Sequence, residues 1–213
     1  FHDFFAFLKV YKNSSHIIVL GVSGGVWFPL MYFMCLFSGK KLGVNIDGVE
    51  WRRAKFSIPI KIVLKIFDYL AQRFSHFLIY DNDGLKPYIH EFAISTAYKI
   101  PYSGDHVLRL PVTEQKTTAL TICRIEPENN IEMLITTALR SDIEKYTVVG
   151  NWNNSDYSKG LYDKYCGNEK LNLINPVYNY HELARMREAC SLYLHGHSVG
   201  GTNPSLVEML FYD

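Results

Sequence analysis

The segment Leu194-His-Gly-His-Ser-Val-Gly-Gly-Thr-Asn-Pro-Ser-Leu-Val-Glu208 gathers residue types suited to anions and hydroxyls. An apolar strand-length run ends at His195, a glycine-rich loop follows, and Asn203-Pro204 opens a helix, with Asn suited to the cap and Pro to the first turn. Free backbone N–H groups at such a start, with Gly200 and Gly201 allowing close approach, would cradle a phosphate or diphosphate. An ordinary capped helix behind a flexible loop explains the same spacing. Glu208, about one turn inside the helix, would accept hydrogen bonds from the hydroxyls of a sugar or ribose. His195 and His197 lack a third ligand at metal-binding spacing, so hydrogen bonding to a ligand or carbonyl is expected of them.

Arg124 leaves another apolar run in Arg124-Ile-Glu-Pro-Glu-Asn-Asn130, a fixed positive charge suited to a diphosphate unless it pairs with Glu126 or Glu128. Gly150-Asn-Trp-Asn-Asn154 leaves the next run in the same sense; Trp152 is placed to stack on a base or sugar, or to sit half-buried. Asn45-Ile-Asp-Gly-Val-Glu-Trp-Arg-Arg53 packs two acids, two bases and an aromatic into nine positions, the character of a sugar site or of a solvated charged loop. Asp81-Asn-Asp83 mimics an Asp-x-Asp metal element, and a helix-initiating cap explains it equally well. Gly21-Val-Ser-Gly-Gly25 lacks the full dinucleotide fingerprint.

These loops need strands to carry them. Strand-length apolar runs at 16–21, 42–46, 76–80, 97–100, 119–123, 146–150, 171–174 and 191–194 alternate with helical patterns at 27–38, 58–74, 84–92, 130–141, 156–165, 180–188 and from 204 onward. Such alternation predicts an α/β fold with parallel sheets, ligands lying at the carboxyl ends of the strands. The polar stretch near 103–117 divides the chain into two α/β units: 1–106, a linker over 107–117, and 118–213. From Ile17 to Gly39 no residue is charged, but Gly21, Gly24, Gly25 and Pro29 break the run, so a strand, a glycine turn and a buried helix are expected rather than a membrane span.

The 213 residues, 48% hydrophobic and 20% charged, exclude disorder, collagen and a pure coiled coil. Lys plus Arg number 22 against 21 Asp plus Glu, a net charge of +1 that advertises no broad attraction to nucleic acid. Four cysteines without a CxxC pair suggest neither zinc nor a disulfide framework, and hence a reducing cytosol. The sequons at Asn13 and Asn153 are taken as chance. The chain opens at Phe1 without a signal-peptide layout and stops at Asp213 inside an apolar helical pattern, so both ends are expected to be cut.

Taken together, the loops resemble glycosyltransferase family 4, in particular the bacterial rhamnosyltransferase-like group of capsule, O-antigen or exopolysaccharide assembly. The residues that carry it are Asn45 to Arg53, Asp81-Asn82, Tyr102-Ser-Gly-Asp-His106, Cys123 to Ile131, Val149 to Ser155 and His195 to Glu208. The resemblance implies a GT-B architecture of two Rossmann-like domains, both incomplete here: the first, 1–106, binding acceptor, the second, 118–213, binding a nucleotide sugar. It implies transfer of rhamnose or a related deoxyhexose, with retention, from a dTDP-sugar to a saccharide or lipid-linked saccharide. Asp47 and Arg124 would be catalytic, Asp47 standing where many members place a His near the reacting sugar.

Donor contacts would come from Arg124, Asn129, Asn151, Trp152, His195, His197, Gly200, Gly201, Thr202, Asn203 and Glu208. Acceptor contacts would come from Asn45, Asp47, Glu50, Trp51, Arg52 and Arg53. Gly200 and Asn129 depart from the family, which usually has the first of two paired glutamates and a basic residue there. No metal or other cofactor is implied, and the expected location is the cytoplasm or the inner face of the plasma membrane. Trp27, Phe28, Met31, Tyr32 and Phe33 offer themselves for membrane contact, against a simpler account as a buried helix. Two alternatives stay open: a catalytically inactive nucleotide-sugar-binding remnant, and a metal-dependent transferase using Asp81 and Asp83.

Overall fold

The computed structural model describes residues 2–53, 56–111, 118–198 and 201–212. They form two units: one comprises the residues through Tyr102 with Gly201 and Thr202, the other Ser103–Ser198 and the residues from Asn203 on.

In the first unit α1 (His2–Tyr11), β1 (His16–Leu20), α2 (Phe28–Phe37), β2 (Lys41–Asn45), α3 (Ile58–Arg73), β3 (Phe77–Tyr80), α4 (Glu91–Ile94) and β4 (Ala97–Lys99) follow in order. The strands form a parallel sheet in the order β1-β2-β3-β4. Leu42, Val44 and Leu78 of the sheet meet Phe28, Met31 and Cys35 of α2 and Phe7 of α1 in one core. The uncharged stretch from Ile17 is thus strand, glycine turn and helix, and no helix of the described residues is long and apolar enough to cross a membrane.

Two elements differ from expectation. α1 was not anticipated, its residues carrying no turn signal before them; Phe7 is buried and Phe4 stacks on Trp27 at 4.8 Å to hold it. The helix expected at 84–92 is a 3-10 turn over 83–88 followed by the short α4. Pro87 has no N–H for an α-helical ladder. Beyond it, Gln72 of α3 captures the chain, its Nε2 donating to Tyr88 O at 3.0 Å and its Oε1 accepting from His90 N at 2.9 Å.

The second unit comprises β5 (Thr118–Ile122), α5 (Ile131–Leu139), β6 (Lys145–Val149), α6 (Asp156–Tyr165), β7 (Leu171–Ile174), α7 (Tyr180–Ala189), β8 (Leu192–Tyr193) and α8 (Pro204–Met209). Its parallel sheet runs β7-β6-β5-β8. The chain moves outward through β6 and β7, then crosses back to place β8 on the other side of β5. That reversal is a topological switch point, where α/β sheets open a crevice for ligands. Tyr146, fully buried, shares a 2.7 Å hydrogen bond with Thr121, whose hydroxyl donates to Leu194 O at 2.6 Å, tying β6, β5 and the end of β8 together. Ser155 caps α6 with a capping box through Ser158, which fixes where the β6 loop ends.

Ser103–His106, expected with the first domain, belong to the second unit, since His106 bonds Glu208 and Phe211 packs on Gly104. Of the expected linker, 107–111 also lies in this unit: Leu110 N donates to Glu188 and Tyr212 Oη to Leu108 O. Residues 112–117 fall outside the described residues.

Candidate functional site

In the second unit the switch point lies between the loops leaving β5 and β8, and their side chains stitch the two together. Asn129 donates from Nδ2 to Arg124 O at 2.6 Å, and its Oδ1 lies 2.7 Å from His197 Nδ1. Asn130, in the left-handed conformation at φ 50°, donates to Gly196 O at 2.7 Å. Ser198 donates from both N and Oγ to Glu128 O, at 3.0 and 2.9 Å. Asn129 and His197 are therefore held by the loops they join, Asn129 being buried.

Arg124 is exposed, and no ion pair joins it to Glu126 or Glu128 among the described residues. It lines a cavity of about 420 Å³ at the carboxyl end of the sheet, with Cys123 from the same loop, Gly150, Asn151 and Asn154 after β6, Pro176–Tyr178 after β7, and Ser205 of α8. Gly150 is required there: an added Cβ would lie 2.5 Å from Ile125 Cδ1 and 2.6 Å from Cys123 O. Burial pushes the Cys123 thiol up to about 12, the Arg124 charge opposing only in part, so the cavity wall is a neutral thiol. His195 is held below its ordinary value by burial and then by the charge of His197, which keeps its imidazole neutral near pH 7.

Three expectations for this unit are corrected. Trp152 does not present a ring to a ligand: at 3% exposure it belongs to the core and donates its indole N–H to Ile174 O at 3.0 Å. The helix start at Asn203 does not leave its N–H groups free. Asn203 Oδ1 accepts from Ser205 N at 3.0 Å and Leu206 N at 3.4 Å, the arrangement of an ordinary N-cap. Glu208 is already engaged, forming an ion pair with the buried Arg187 and lying 3.1 Å from His106 Nε2. Gly200 lies outside the described residues.

Gly201 and Thr202 belong with the first unit. Thr202 N donates to Asp81 Oδ2 at 2.7 Å, and Asn82 Nδ2 donates to Thr202 Oγ1 at 3.0 Å, so the Thr202 amide is not free for a phosphate either. Asp81 is buried and accepts from Asn82 as well, while exposed Asp83 is held below the usual carboxylate range by Lys99 and Lys86. Both carboxylates of the Asp-x-Asp stretch are thus engaged by N–H donors, and among the described residues no group of three His, Cys, Asp or Glu side chains is placed to hold a metal.

In the first unit, the loop after β2 turns at Gly48, whose φ of 104° favours glycine, and leaves Asp47 exposed. Tyr102 Oη, leaving β4, donates to Asp47 Oδ1 at 3.4 Å; burial and the charges of Asp47 and Asp81 raise its phenol above the ordinary value. Asp47, Asp81 and Tyr102 therefore share one edge of the sheet. Asn45, at the end of β2, buries its Oδ1 without a hydrogen-bond partner.

The rest of the expected acceptor loop is structural. Trp51 donates its indole N–H to Asp68 Oδ2 at 3.2 Å and packs edge-on against Tyr88, with Lys65 over its ring. Arg53 is buried and pairs with Glu50 at 2.8 Å, while Arg52 bonds Tyr88 Oη. A compact 3-10 turn over 50–52 explains why these side chains fold back onto α3 rather than outward. Asp68 and Gln72, which organise them, went unremarked in the sequence, although their i,i+4 spacing among isoleucines was a visible signal. Tyr178, His106 and Arg187 were also missed.

A family model described as a domain of unknown function, DUF1972, matches residues 12–105. No curated protein sequence matches the chain. Among solved structures, a point mutant of S. aureus TarM in complex with fondaparinux, α-GlcNAc-glycerol and UDP aligns at a TM-score of 0.67 and 15% identity, over 97% of this chain and 42% of that one. The pneumococcal O-GlcNAc transferase GtfA in complex with UDP and GlcNAc aligns at 0.64 and 14%, over 96% and 42%. The fold is of the GT-B type. The catalytic domain of Arabidopsis thaliana starch synthase IV, bound to ADP and acarbose, aligns at 0.54 and 9%, over 88% and 53%. This GT-B chain spans about two fifths of the length of the TarM and GtfA chains.

Proposed function

We propose that the chain belongs to a retaining glycosyltransferase of family 4 that moves rhamnose or a related deoxyhexose from a dTDP-sugar to a saccharide or lipid-linked saccharide in cell-surface polysaccharide synthesis. The observation that carries the proposal is the cavity at the carboxyl end of the second unit's sheet, lined by the loops after β5, β6 and β7 and by Ser205 of α8, with Arg124 as the charged side chain of its described lining. Ligands of open α/β sheets bind outside the carboxyl ends of the strands, and this cavity opens there beside β5, the strand at which the order reverses. The UDP in the TarM and GtfA structures supports a nucleotide there, and the thymidine and rhamnose assignments rest on the resemblance of the loops.

In this proposal the acceptor hydroxyl attacks the anomeric carbon from the face the diphosphate leaves. The new C–O bond forms as the bond to the diphosphate oxygen breaks, and the hydroxyl proton passes to the departing phosphate. Arg124 stabilises the charge that develops on that diphosphate. Asn129 positions Arg124 by holding its carbonyl, and Asn151 and Tyr178 bound the remaining walls. Asp47 and the unpartnered Asn45 Oδ1 serve sugar hydroxyls in the first unit. No metal takes part, and the protein works in the cytoplasm.

The test incubates the chain with dTDP-rhamnose and a lipid-linked saccharide, with EDTA and then with manganese, and measures dTDP release and product mass. Metal-insensitive transfer is the expected result. Tight dTDP binding without turnover would reassign the chain as a nucleotide-sugar-binding fragment, and manganese-dependent turnover would overturn the metal-free mechanism.

A further inference from the structure

Helix α3 is inverted relative to an ordinary surface helix. Its polar residues Asp68 and Gln72 are buried, bonded to each other at 3.0 Å and to Trp51 and Tyr88. Its apolar residues Ile58, Ile62, Ile66 and Tyr69, spaced four, four and three apart, point outward, Ile58 at 75% exposure and Ile62 at 56%. Helix α2 buries Phe28, Met31 and Cys35, the account expected of it, yet leaves Leu30, Phe33 and Phe37 outward, Phe37 at 85%. Isolated exposed leucines need no explanation, but a continuous apolar face does.

The face is continuous across the first unit. Phe37 stacks near Phe33 at 6.2 Å, Phe33 meets Phe74 at 6.1 Å, Arg73 spans Phe74 and Phe92 at 5.9 and 5.7 Å, and Phe92 meets Tyr69 at 5.6 Å. Glu91 beside Phe92 is an exposed acid at its margin, and the outward charges of α2 and α3 themselves have one sign. Helix α2 carries no charged residue, and α3 carries Lys61, Lys65 and Arg73 with a single acid, the buried Asp68.

We propose that the outward face of α2 and α3 docks the protein on an anionic lipid surface, lying in the interface without crossing it. Apolar side chains flanked by cations, with no outward acid on either helix, are the pattern that inserts beneath headgroups while Lys and Arg meet lipid phosphates. A second copy is the less fitting occupant, because a two-fold contact through this face would bring the cations of one copy near those of the other with no outward acid of α2 or α3 to offset them. From the proposed function the inference takes only that the acceptor is lipid-linked. The docking itself stands on the surface.

The test sediments the chain with vesicles of phosphatidylglycerol and phosphatidylethanolamine, and with neutral phosphatidylcholine vesicles, in the absence of any nucleotide. Binding to the anionic vesicles is expected, falling at least tenfold in the Ile62→Glu/Ile66→Glu double variant and about fivefold for each of Lys65→Ala and Arg73→Ala. Both isoleucines are exposed, so a thermal melt should show the double variant folded. No binding to anionic vesicles, equal binding by the folded double variant, or equal binding to neutral vesicles overturns the proposal. So does a lipid-free dimer in light scattering that the double variant abolishes, which would give the face to a second copy. Nucleotide binding measured on the same samples separates failure here from failure of the proposed function.

Discussion

Replacing Arg124 by Ala tests the proposed donor site most directly, because the structure isolates what the side chain contributes. The guanidinium is exposed, carries no ion pair to Glu126 or Glu128, and is the charged side chain on the wall of the cavity. A hydrogen bond to a charged group contributes about 1.5–3 kcal/mol, and solvent exposure places Arg124 at the lower end. A loss of about 1.5 kcal/mol is roughly a tenfold weaker dTDP complex. Stability should move by less than about 0.5 kcal/mol, as expected for an exposed side chain without partners. Isothermal titration with dTDP and with thymidine, at low and high salt, reads both effects. Thymidine has no phosphate, so its affinity should be the same in the wild type and the variant. The tenfold gap for dTDP should shrink as salt screens the charge. Arg124→Lys should recover part of the affinity, since the charge returns without the planar fork. Equal dTDP affinity in wild type and Arg124→Ala, or an equal loss for thymidine, would refute the assignment of the diphosphate to this cavity.

Two further outcomes follow from side chains of the second unit. Trp152→Ala should destabilise the second unit by about 3–5 kcal/mol in urea unfolding, the range for emptying a buried aromatic site, and a merely ligand-facing Trp152 would instead leave the midpoint unchanged. Cys123, with its thiol pushed up to about 12, should react with iodoacetamide far more slowly than exposed Cys166 near pH 8. Because the raised value keeps the thiol protonated, its labelling should climb as pH rises; peptide mass spectrometry checks this, and prompt labelling of Cys123 at neutral pH would contradict the burial argument.

Much of the fold was legible because the strands are short apolar runs with period and flanks that only a buried parallel sheet satisfies. The runs at 119–123, 146–150 and 171–174 fall within a residue of β5, β6 and β7. The helix expected at 84–92 failed because its fate is set by a tertiary partner, Gln72, as much as by Pro87. The site was legible to a different degree in each unit. The position of Arg124 at the carboxyl edge of the sheet was readable from its place after a strand, since loops leaving strands in a parallel sheet share one edge. The orientations of Trp51, Arg53 and Trp152 were not, because residue type alone does not say whether an aromatic or a guanidinium turns outward or finds a partner at home. Asp68, held by Gln72, decided the matter for Trp51, and their i,i+4 spacing is the one mark the sequence carries of it. The amides after Asn203 illustrate the same limit: the Asn that signals a helix start is also the group that consumes the donors a phosphate would need.

The departure at position 129 then acquires a physical account. Where a basic residue is common in the family the sequence resembles, Asn129 is buried, holds the carbonyl of Arg124 and meets His197 across the switch point. A lysine there has no acceptor to offer His197 and would bury an ammonium among loop carbonyls, so the charge and the stitching cannot coexist in this backbone. Glu208 is likewise compensated within the second unit, by Arg187 and His106. What is left facing the cavity is Arg124 as the charged group of its lining, set between a neutral thiol at Cys123 and the amides and rings of Asn151, Asn154 and Tyr178. With one cation among the described residues of its lining, the cavity would depend on where that cation is held. Under the proposed function Asn129 is a positioning residue: Asn129→Ala should lower dTDP-sugar turnover, read as dTDP release, while leaving the net charge of the cavity as it was, and unchanged turnover would refute this.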